Sequence, residues 1–301
     1  MPMGIDVLNA RFVDMLKTAE DREEVALATS LFLRTKIRED SFARQILPPV
    51  TISPAECDRS ADHRGLVKIM DIEPDGGAAA VDFLGQSQQV TWVYGDRYTI
   101  PFFAVSSDEN QVTEGELLSY KMPITDLIRK NTELAIAEIE DTKFMALVAA
   151  AITLTSKDTD SVAATGFGKK DFTNLFKLID GDELKGTTIL INTDVYNDIL
   201  AWDDSDFGDP LLSEVVKNGY TYPVLLGKRL VVTNKTSIVE DDKIYCFTDQ
   251  PYLGHAFVLT EELKFGVEQR FNLITYKAWE YIGMGIGNTR AVASVTLKDG
   301  E

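Results

Sequence analysis

The chain has 301 residues, of which 45% are hydrophobic and 26% are charged, a composition typical of a folded globular protein rather than a disordered one. Its 48 acidic side chains outnumber its 30 basic ones, and the net charge of −18 argues against a broad basic surface that wraps nucleic acid. The sequence has no run of about 18 apolar residues, so no transmembrane helix is predicted.

Residues 1–50 are predicted to be helical at first and extended at the end. Apolar side chains recur at steps of three and four positions between residues 5 and 33, which favours helix. Pro48 and Pro49 then end any helix, because proline lacks the amide donor and restricts the residue before it. We therefore interpret this region as an arm rather than as the start of a compact core.

A β-hairpin is predicted around the Pro-Asp-Gly-Gly turn at residues 74–77, because glycine supplies the positive φ that such a turn needs. The apolar runs on either side of it, residues 66–72 and 78–83, are predicted as its two strands. Two more β-rich runs follow at residues 88–94 and 97–103.

The clearest predicted element is a long helix over residues 123–151. Pro123 suits the first turn of a helix, and one apolar stripe runs along the segment. At a rise of 1.5 Å per residue, the helix is roughly 40 Å long. Its last third, residues 144–151, is apolar around most of its circumference, so we expect it to be enclosed.

Residues 152–260 alternate between helix and strand, which predicts a mixed α+β module. A polar loop is expected at residues 153–168, and Thr193 is expected to cap the helix that it precedes. The predicted helices cover residues 170–179, 194–202 and 211–217, and the predicted strands cover residues 187–192, 224–226, 229–233 and 243–247.

Residues 256–297 return to β-structure, and one predicted strand, residues 272–283, is unusually long. The glycine-rich run 283–288 could be mistaken for a phosphate-binding loop. No helical pattern follows it, so we expect a bulge or a close approach between strands instead. The other strands predicted here cover residues 256–259, 263–267 and 291–297.

The order of these elements resembles that of the major capsid proteins of tailed bacteriophages with the Hong Kong 97 fold. The segments that carry the resemblance are residues 188–196, 226–233 and 264–280. The resemblance implies an α+β fold with five parts. These are an N-terminal arm (1–50), an extended β-hairpin loop (51–104), a peripheral domain with a spine helix (105–154), an axial domain (155–255) and returning peripheral strands (256–301).

The same resemblance implies a structural subunit that self-assembles into the hexamers and pentamers of an icosahedral phage capsid enclosing double-stranded DNA. Its partners would be copies of itself, a portal, and a scaffold or decoration protein, with the DNA enclosed without sequence-specific binding and no membrane involved. It would be located in the virion and assembled in the host cytoplasm. Two alternatives stay open: an encapsulin-type nanocompartment shell, which shares the fold, and an acidic soluble hydrolase.

No catalytic, metal or cofactor site is predicted, and the protein is not expected to be an enzyme. Cys57 and His63 have no second pair of residues with zinc-ligand spacing. The acidic run that begins at Asp203 and contains Asp204 and Asp206 lacks the glutamate of a complete calcium loop, since residue 215 is valine. The two cysteines are predicted to be free thiols.

Candidate assembly contacts come from the arm, the hairpin turn and two aromatic residues of the loop. Arginine forms bidentate bonds to carboxylates, so the arm arginines could pair with acidic neighbours across subunits, or they could belong to an ordinary mixed-charge helix surface. The candidates are Arg11, Arg34, Arg38, Arg44, Pro48, Pro49, Asp75, Gly76, Gly77, Trp92 and Tyr94.

The excess of acidic residues lies in two blocks. Residues 51–120 hold 4 basic and 12 acidic side chains, and residues 152–260 hold 10 and 17. The arm, the long helix and the final strands are close to neutral, as is expected of parts that pack on neighbours. We expect the two acidic blocks to face solvent or the lumen of a shell.

Overall fold

The computed structural model describes residues 39–59, 65–73, 80–83, 85–86, 95–113, 124–161, 166–200, 224–260 and 263–298. Four predicted elements lie outside these residues: the helices at 5–33 and 211–217, the turn at 74–77 and the strand at 88–94. The acidic run that begins at Asp203 and the residue His63 also lie outside them.

The described residues form five α-helices and fourteen strands, with two short 3-10 turns at Pro54–Glu56 and Thr289–Ala291. The helices are α1 (Phe42–Ile46), α2 (Ile124–Thr155), α3 (Lys169–Asp180), α4 (Thr193–Leu200) and α5 (Gln250–Leu253). The strands are β1 (Pro49–Ile52), β2 (Asp58–Arg59), β3 (Leu66–Asp71), β4 (Arg97–Ser106), β5 (Asn110–Thr113), β6 (Asp158–Ser161), β7 (Gly186–Asn192), β8 (Val224–Leu225), β9 (Lys228–Thr233), β10 (Lys243–Thr248), β11 (Gly254–Leu259), β12 (Lys264–Arg270), β13 (Leu273–Ile286) and β14 (Val292–Leu297).

The first sheet is built around the long strand β13. Its order is β1-β11-β13-β4-β3-β2, and β5 and β12 also pair with β13. The pairing of β1 with β11 is parallel, whereas β13 is antiparallel to both β11 and β4. The prediction of a long strand here is confirmed, and the strand continues three residues beyond the predicted end at residue 283.

The second sheet has six strands in the order β6-β14-β10-β7-β9-β8. Helices α3 and α4 contribute the fully buried Phe172, Leu175 and Val195 to its hydrophobic core, beside Ile189 and Ile191 of β7. The final strand β14 pairs with β10, so it lies in this sheet, although the sequence groups it with the returning strands of residues 256–301. The mixed α+β fold class is confirmed.

Helix α2 is longer than predicted. The expected polar loop at residues 153–168 is wrong at its start, because Thr153 and Thr155 donate hydroxyl hydrogen bonds to the carbonyls of Ala149 (2.8 Å) and Ala151 (2.9 Å) and so remain helical. Strand β6 then follows at once, with the Asp158 carboxylate accepting hydrogen bonds from the hydroxyls of β14.

The expected enclosure of residues 144–151 is only partly confirmed. Phe144 and Val148 are 0% exposed, so one face of the helix is fully buried. Ala146 and Ala150 are exposed on the single chain. A methyl side chain leaves little apolar surface in water, so this face tolerates solvent better than its hydrophobicity alone indicates.

The predicted pairing of the extended hairpin is wrong. Strand β3 pairs in antiparallel fashion with β4, where Val67 lies opposite Pro101, and residues 80–83 form no strand. The alanine run at residues 78–80 has low β-propensity, whereas β4 is rich in aromatic and β-branched residues. Strand β3 therefore pairs with a strand that is more distant in sequence and richer in residues that favour β-structure.

The cap of α4 also differs from the prediction. The Asn192 side chain accepts a hydrogen bond from the amide of Asp194 at 3.3 Å, whereas the Thr193 hydroxyl donates to the carbonyl of Thr233 at 3.2 Å. Asn192 also donates to the carbonyl of Val239 at 2.9 Å. One amide side chain thus ties this strand end to the neighbouring loop.

The chain divides into two compact units. The larger unit comprises Glu39–Ser106, Ile136–Lys264 and Trp279–Glu301. The smaller unit contains, among the described residues, 107–113, 124–135 and 265–278. Within the smaller unit, β5 pairs with the first half of β13, and Lys277 binds Glu109 at 2.9 Å.

Candidate assembly surfaces

The residues that join the predicted arm to the core are buried in the larger unit. We call residues 39–52 the arm root. Its helix α1 begins after Ser41, whose hydroxyl caps it by accepting a hydrogen bond from the amide of Arg44 at 3.2 Å. Phe42 and Leu47 are 2% and 1% exposed. The arm root therefore packs on this chain, although the sequence predicts residues 1–50 as an arm rather than as part of a compact core.

A buried cluster of charges holds the arm root in place. The Arg44 guanidinium donates two hydrogen bonds to Glu140 of α2, both 2.7 Å long, and a third of 2.9 Å to Glu280 of β13. Glu140 is 0% and Glu280 is 1% exposed. The hydrogen bonds to Glu140 raise the pKa of Arg44 well above its ordinary value. Such charge-assisted, bidentate contacts are strong and fix the orientation of the side chain.

A second buried acid, Asp141, binds the start of the same helix. It accepts a hydrogen bond of 2.7 Å from the Ser41 hydroxyl and one of 2.9 Å from the amide of Ala43, and it forms an ion pair with Lys235. Burial raises the pKa of Asp141 despite these donors. The negative carboxylate lies at the amino end of α1, where unpaired amides favour it.

The rest of the arm root binds the strand ends around it. Glu39 accepts hydrogen bonds from the Thr233 hydroxyl (2.9 Å) and the Asn234 amide (3.0 Å). The Gln250 side chain donates to the carbonyl of Pro48 at 3.1 Å, and Pro49 then starts strand β1 at the edge of the first sheet. An edge strand tolerates a proline because it needs amides on one side only.

The second candidate surface is the extended loop. We call the described part of residues 65–106 the loop stem. It presents large apolar side chains to solvent: Ile69 is 38% exposed, Ile72 40%, Val81 51% and Phe83 109%. Strand β3 of the loop stem pairs with β4 on one side. On its other side, the only strand among the described residues is the two-residue β2. Phe83 is fully exposed, whereas Ile69, Ile72 and Val81 keep between about a third and a half of their surface in solvent.

The base of the loop stem is joined to the sheet by a row of glycines. A Cβ at Gly283 or Gly285 would approach Ile100 of β4 to 3.1 and 2.8 Å, and one at Gly287 would approach the Tyr98 ring to 2.7 Å. The glycine-rich run is therefore a close approach between strands, as predicted. The Tyr98 hydroxyl also lies 2.8 Å from Nδ1 of His255.

The structure places three of the predicted contact residues, Arg44, Pro48 and Pro49, in the arm root. The acid partners Glu140 and Glu280 were not predicted, although an acid inside an apolar stripe is a detectable signal. The remaining candidates lie outside the described residues: Arg11, Arg34, Arg38, Asp75, Gly76, Gly77, Trp92 and Tyr94.

The described residues contain no group of three or more histidine, cysteine or acidic residues placed to hold a metal ion. Both cysteines are free, and burial raises the pKa of the Cys246 thiol to about 12 and also raises that of Cys57. Protonated thiols are poor nucleophiles. Among the described helices, none has an apolar stretch long enough to cross a membrane.

Comparison with known proteins gives structural relatives only, because no family model and no curated sequence matches the chain. A chain of Microbacterium phage Oxtober96 is 12% identical, with a TM-score of 0.63 over 91% of this chain and 98% of that one. The capsid of the cyanophage P-SCSP1u is 12% identical, with a TM-score of 0.59 over 90% and 94%. A virus-like particle from Pyrococcus furiosus is 14% identical, with a TM-score of 0.52 over 83% and 90%.

These likenesses extend over most of each chain and define the class of fold. The protein has the Hong Kong 97 capsid fold, as the order of its elements predicts.

Proposed function

We propose that this protein is a structural shell subunit, the major capsid protein of a tailed bacteriophage, and that it encloses double-stranded DNA. The observation that carries the proposal is the fold shared with a cyanophage capsid over 90% of this chain. In this role, copies of the chain form hexamers and pentamers, and no catalytic group is required. The particle assembles in the host cytoplasm and becomes part of the virion.

The loop stem supports this proposal. Its exposed side chains, Ile72 and Phe83 among them, keep apolar surface in water that a second copy of the chain would cover. A shell places such a projecting element on its neighbour at every copy, so the free energy gained is repeated around the particle.

The candidate contacts divide into two groups in this proposal. Arg44 acts within its own chain, where it fixes the arm root on α2 and β13. The contacts to neighbouring subunits are made by Arg11, Arg34, Arg38, Pro48, Pro49, Asp75, Gly76, Gly77, Trp92 and Tyr94. Further partners are a portal and a scaffold or decoration protein.

Electron microscopy and sedimentation of the purified protein test the proposal. We expect closed icosahedral shells, and we expect particles recovered from infected cells to protect long double-stranded DNA from nuclease. A protein that stays a small monomer at every concentration tested would overturn the shell assignment. Closed shells that hold a protein cargo and no DNA would replace the phage capsid with an encapsulin-type compartment.

A further inference from the structure

Glu140 and Glu280 share one cation but are not equivalent. Both oxygens of Glu140 accept hydrogen bonds from Arg44, whereas only Oε2 of Glu280 does so. Oε1 of Glu280 is buried and accepts no hydrogen bond from a donor among the described residues. An oxygen without a donor stabilises negative charge poorly, so of the two acids Glu280 is the one that takes up a proton.

The other charged groups near Glu140 and Glu280 do not change which of the two acids binds the proton. Asp141, the next residue of α2, adds a further negative charge, and Lys235 is ion-paired with it. Arg44, from α1, is the cation that contacts Glu280 in the described chain. Two buried carboxylates facing one guanidinium leave a net negative charge out of water, and a carboxyl group in that position becomes neutral by binding a proton.

We propose that Glu280 is protonated at neutral pH and that this proton acts as a latch, which keeps the arm root docked on α2 and β13. Loss of the proton in alkaline solution leaves two negative charges on one guanidinium and releases the arm root. The latch belongs to the single folded chain, so it stands or falls independently of the proposed capsid function.

The direction of the pKa shifts agrees with this geometry. Burial, reinforced by the Glu140 carboxylate, raises the pKa of Glu280 from 4.5 to about 9. Burial opposes ionisation of Glu140 too, but its hydrogen bonds from Arg44 hold its pKa below the ordinary value. The folded chain therefore keeps a proton that the unfolded chain loses above pH 4.5. The stabilisation is complete below pH 4.5. Between that pH and the pKa of Glu280 in the folded chain, the folding equilibrium constant falls about tenfold for each pH unit.

Infrared spectroscopy in D2O tests whether the proton is present. We expect the wild-type chain at pH 7 to keep a carbonyl band from a protonated carboxylic acid, and we expect Glu280→Gln to lack that band. The control Glu268→Gln removes an exposed acid that pairs with Arg270, and it should keep the band. The difference between wild type and Glu280→Gln separates Glu280 from other protonated acids. Identical wild-type and Glu280→Gln spectra would overturn the proposal.

Hydrogen exchange tests whether the proton holds the arm root. After correction for the intrinsic exchange rate, amides of residues 42–52 should lose protection in the wild type between pH 7 and 10. Glu280→Gln imitates the neutral acid and should keep its protection over this range. Equal loss in both proteins would overturn the latch. If Glu280→Gln fails to fold, the pH dependence of the carboxylic acid band of the wild type still tests the proposal. A midpoint below pH 6 for the loss of that band would contradict a proton held at neutral pH.

Discussion

The arm root and the loop stem belong to the same compact unit, but the side chains of the first are buried in their own chain and those of the second are exposed. In the arm root, Phe42 and Leu47 are no more than 2% exposed, and Arg44 meets buried acids of its own chain. In the loop stem, Ile69 is 38% and Phe83 is 109% exposed. One segment is therefore fixed by its own chain, and the other keeps apolar surface exposed among the described residues.

Removing the guanidinium of the arm root is expected to have the largest effect on the chain itself. Arg44→Met leaves Glu140 and Glu280 buried without their cation, which should lower the free energy of unfolding by about 3 to 5 kcal/mol. Urea unfolding at pH 7 measures this. The matched control is Arg270→Met, which breaks an exposed ion pair with Glu268 and should change the stability far less, because solvent screens that pair. Equal losses in both variants would remove the distinction between a fixed arm root and an ordinary surface.

A smaller effect is expected where the loop stem meets the sheet. Gly285→Ala places a Cβ 2.8 Å from Cγ1 of Ile100, a residue that is 0% exposed and cannot move aside freely. Overpacking of this kind costs about 1 to 3 kcal/mol. The measurement is the denaturant midpoint of unfolding. Gly65→Ala is the control, because its new Cβ would lie 3.6 Å from the nearest atom, an ordinary contact. An unchanged denaturant midpoint for Gly285→Ala would show that the two strands can pack together without this glycine.

Local patterns in the sequence predict the parts of the fold that depend on neighbouring residues. The long strand at 272–283 and the long helix at 123–151 follow from unbroken runs of apolar or β-branched residues, and both are found within a few residues of the predicted ends. The close approach at residues 283–288 is predicted from glycine spacing for the same reason.

Contacts between distant residues are not visible in such patterns. Strand β3 pairs with β4 across about 25 residues, and the local turn signal at 74–77 gives no information about that choice. Glu280 lies 236 positions from Arg44, so neither residue marks the other in the sequence. The charge cluster is decided by which elements pack together, and single-sequence periodicity does not specify that packing.

Polar substitution on the loop stem should separate folding from assembly. Phe83→Ser changes a side chain that contacts little of its own chain, so the free energy of unfolding should change by no more than about 0.5 kcal/mol. If the loop stem is covered by a second copy, the same variant should reduce the yield of closed particles in electron micrographs. The control Asp82→Asn, which changes the preceding residue, should assemble normally. Normal assembly by Phe83→Ser would mean that this side chain is not part of the interface.

The smallest effect is expected from His255, which links the loop stem to the sheet through Tyr98. Burial lowers the pKa of His255 from 6.5, so the folded chain resists a proton that the unfolded chain accepts. The stabilisation is present above pH 6.5 and is lost as the pH falls through the lower folded value. With its proton on Nε2, the neutral ring accepts the Tyr98 hydroxyl at Nδ1, and protonation removes that acceptor.

Nuclear magnetic resonance of the histidine ring measures this shift directly. We expect the His255 signals to titrate below pH 6.5 in the wild type, and we expect a higher pKa in Tyr98→Phe, which loses the hydroxyl that favours the neutral ring. The chemical shifts of the amides of α1 should not follow the His255 titration, because the charge cluster around Arg44 has no histidine among the described residues. A coupled response of the arm root and the loop stem to His255 would show that they are not independent, and would break the contrast between them.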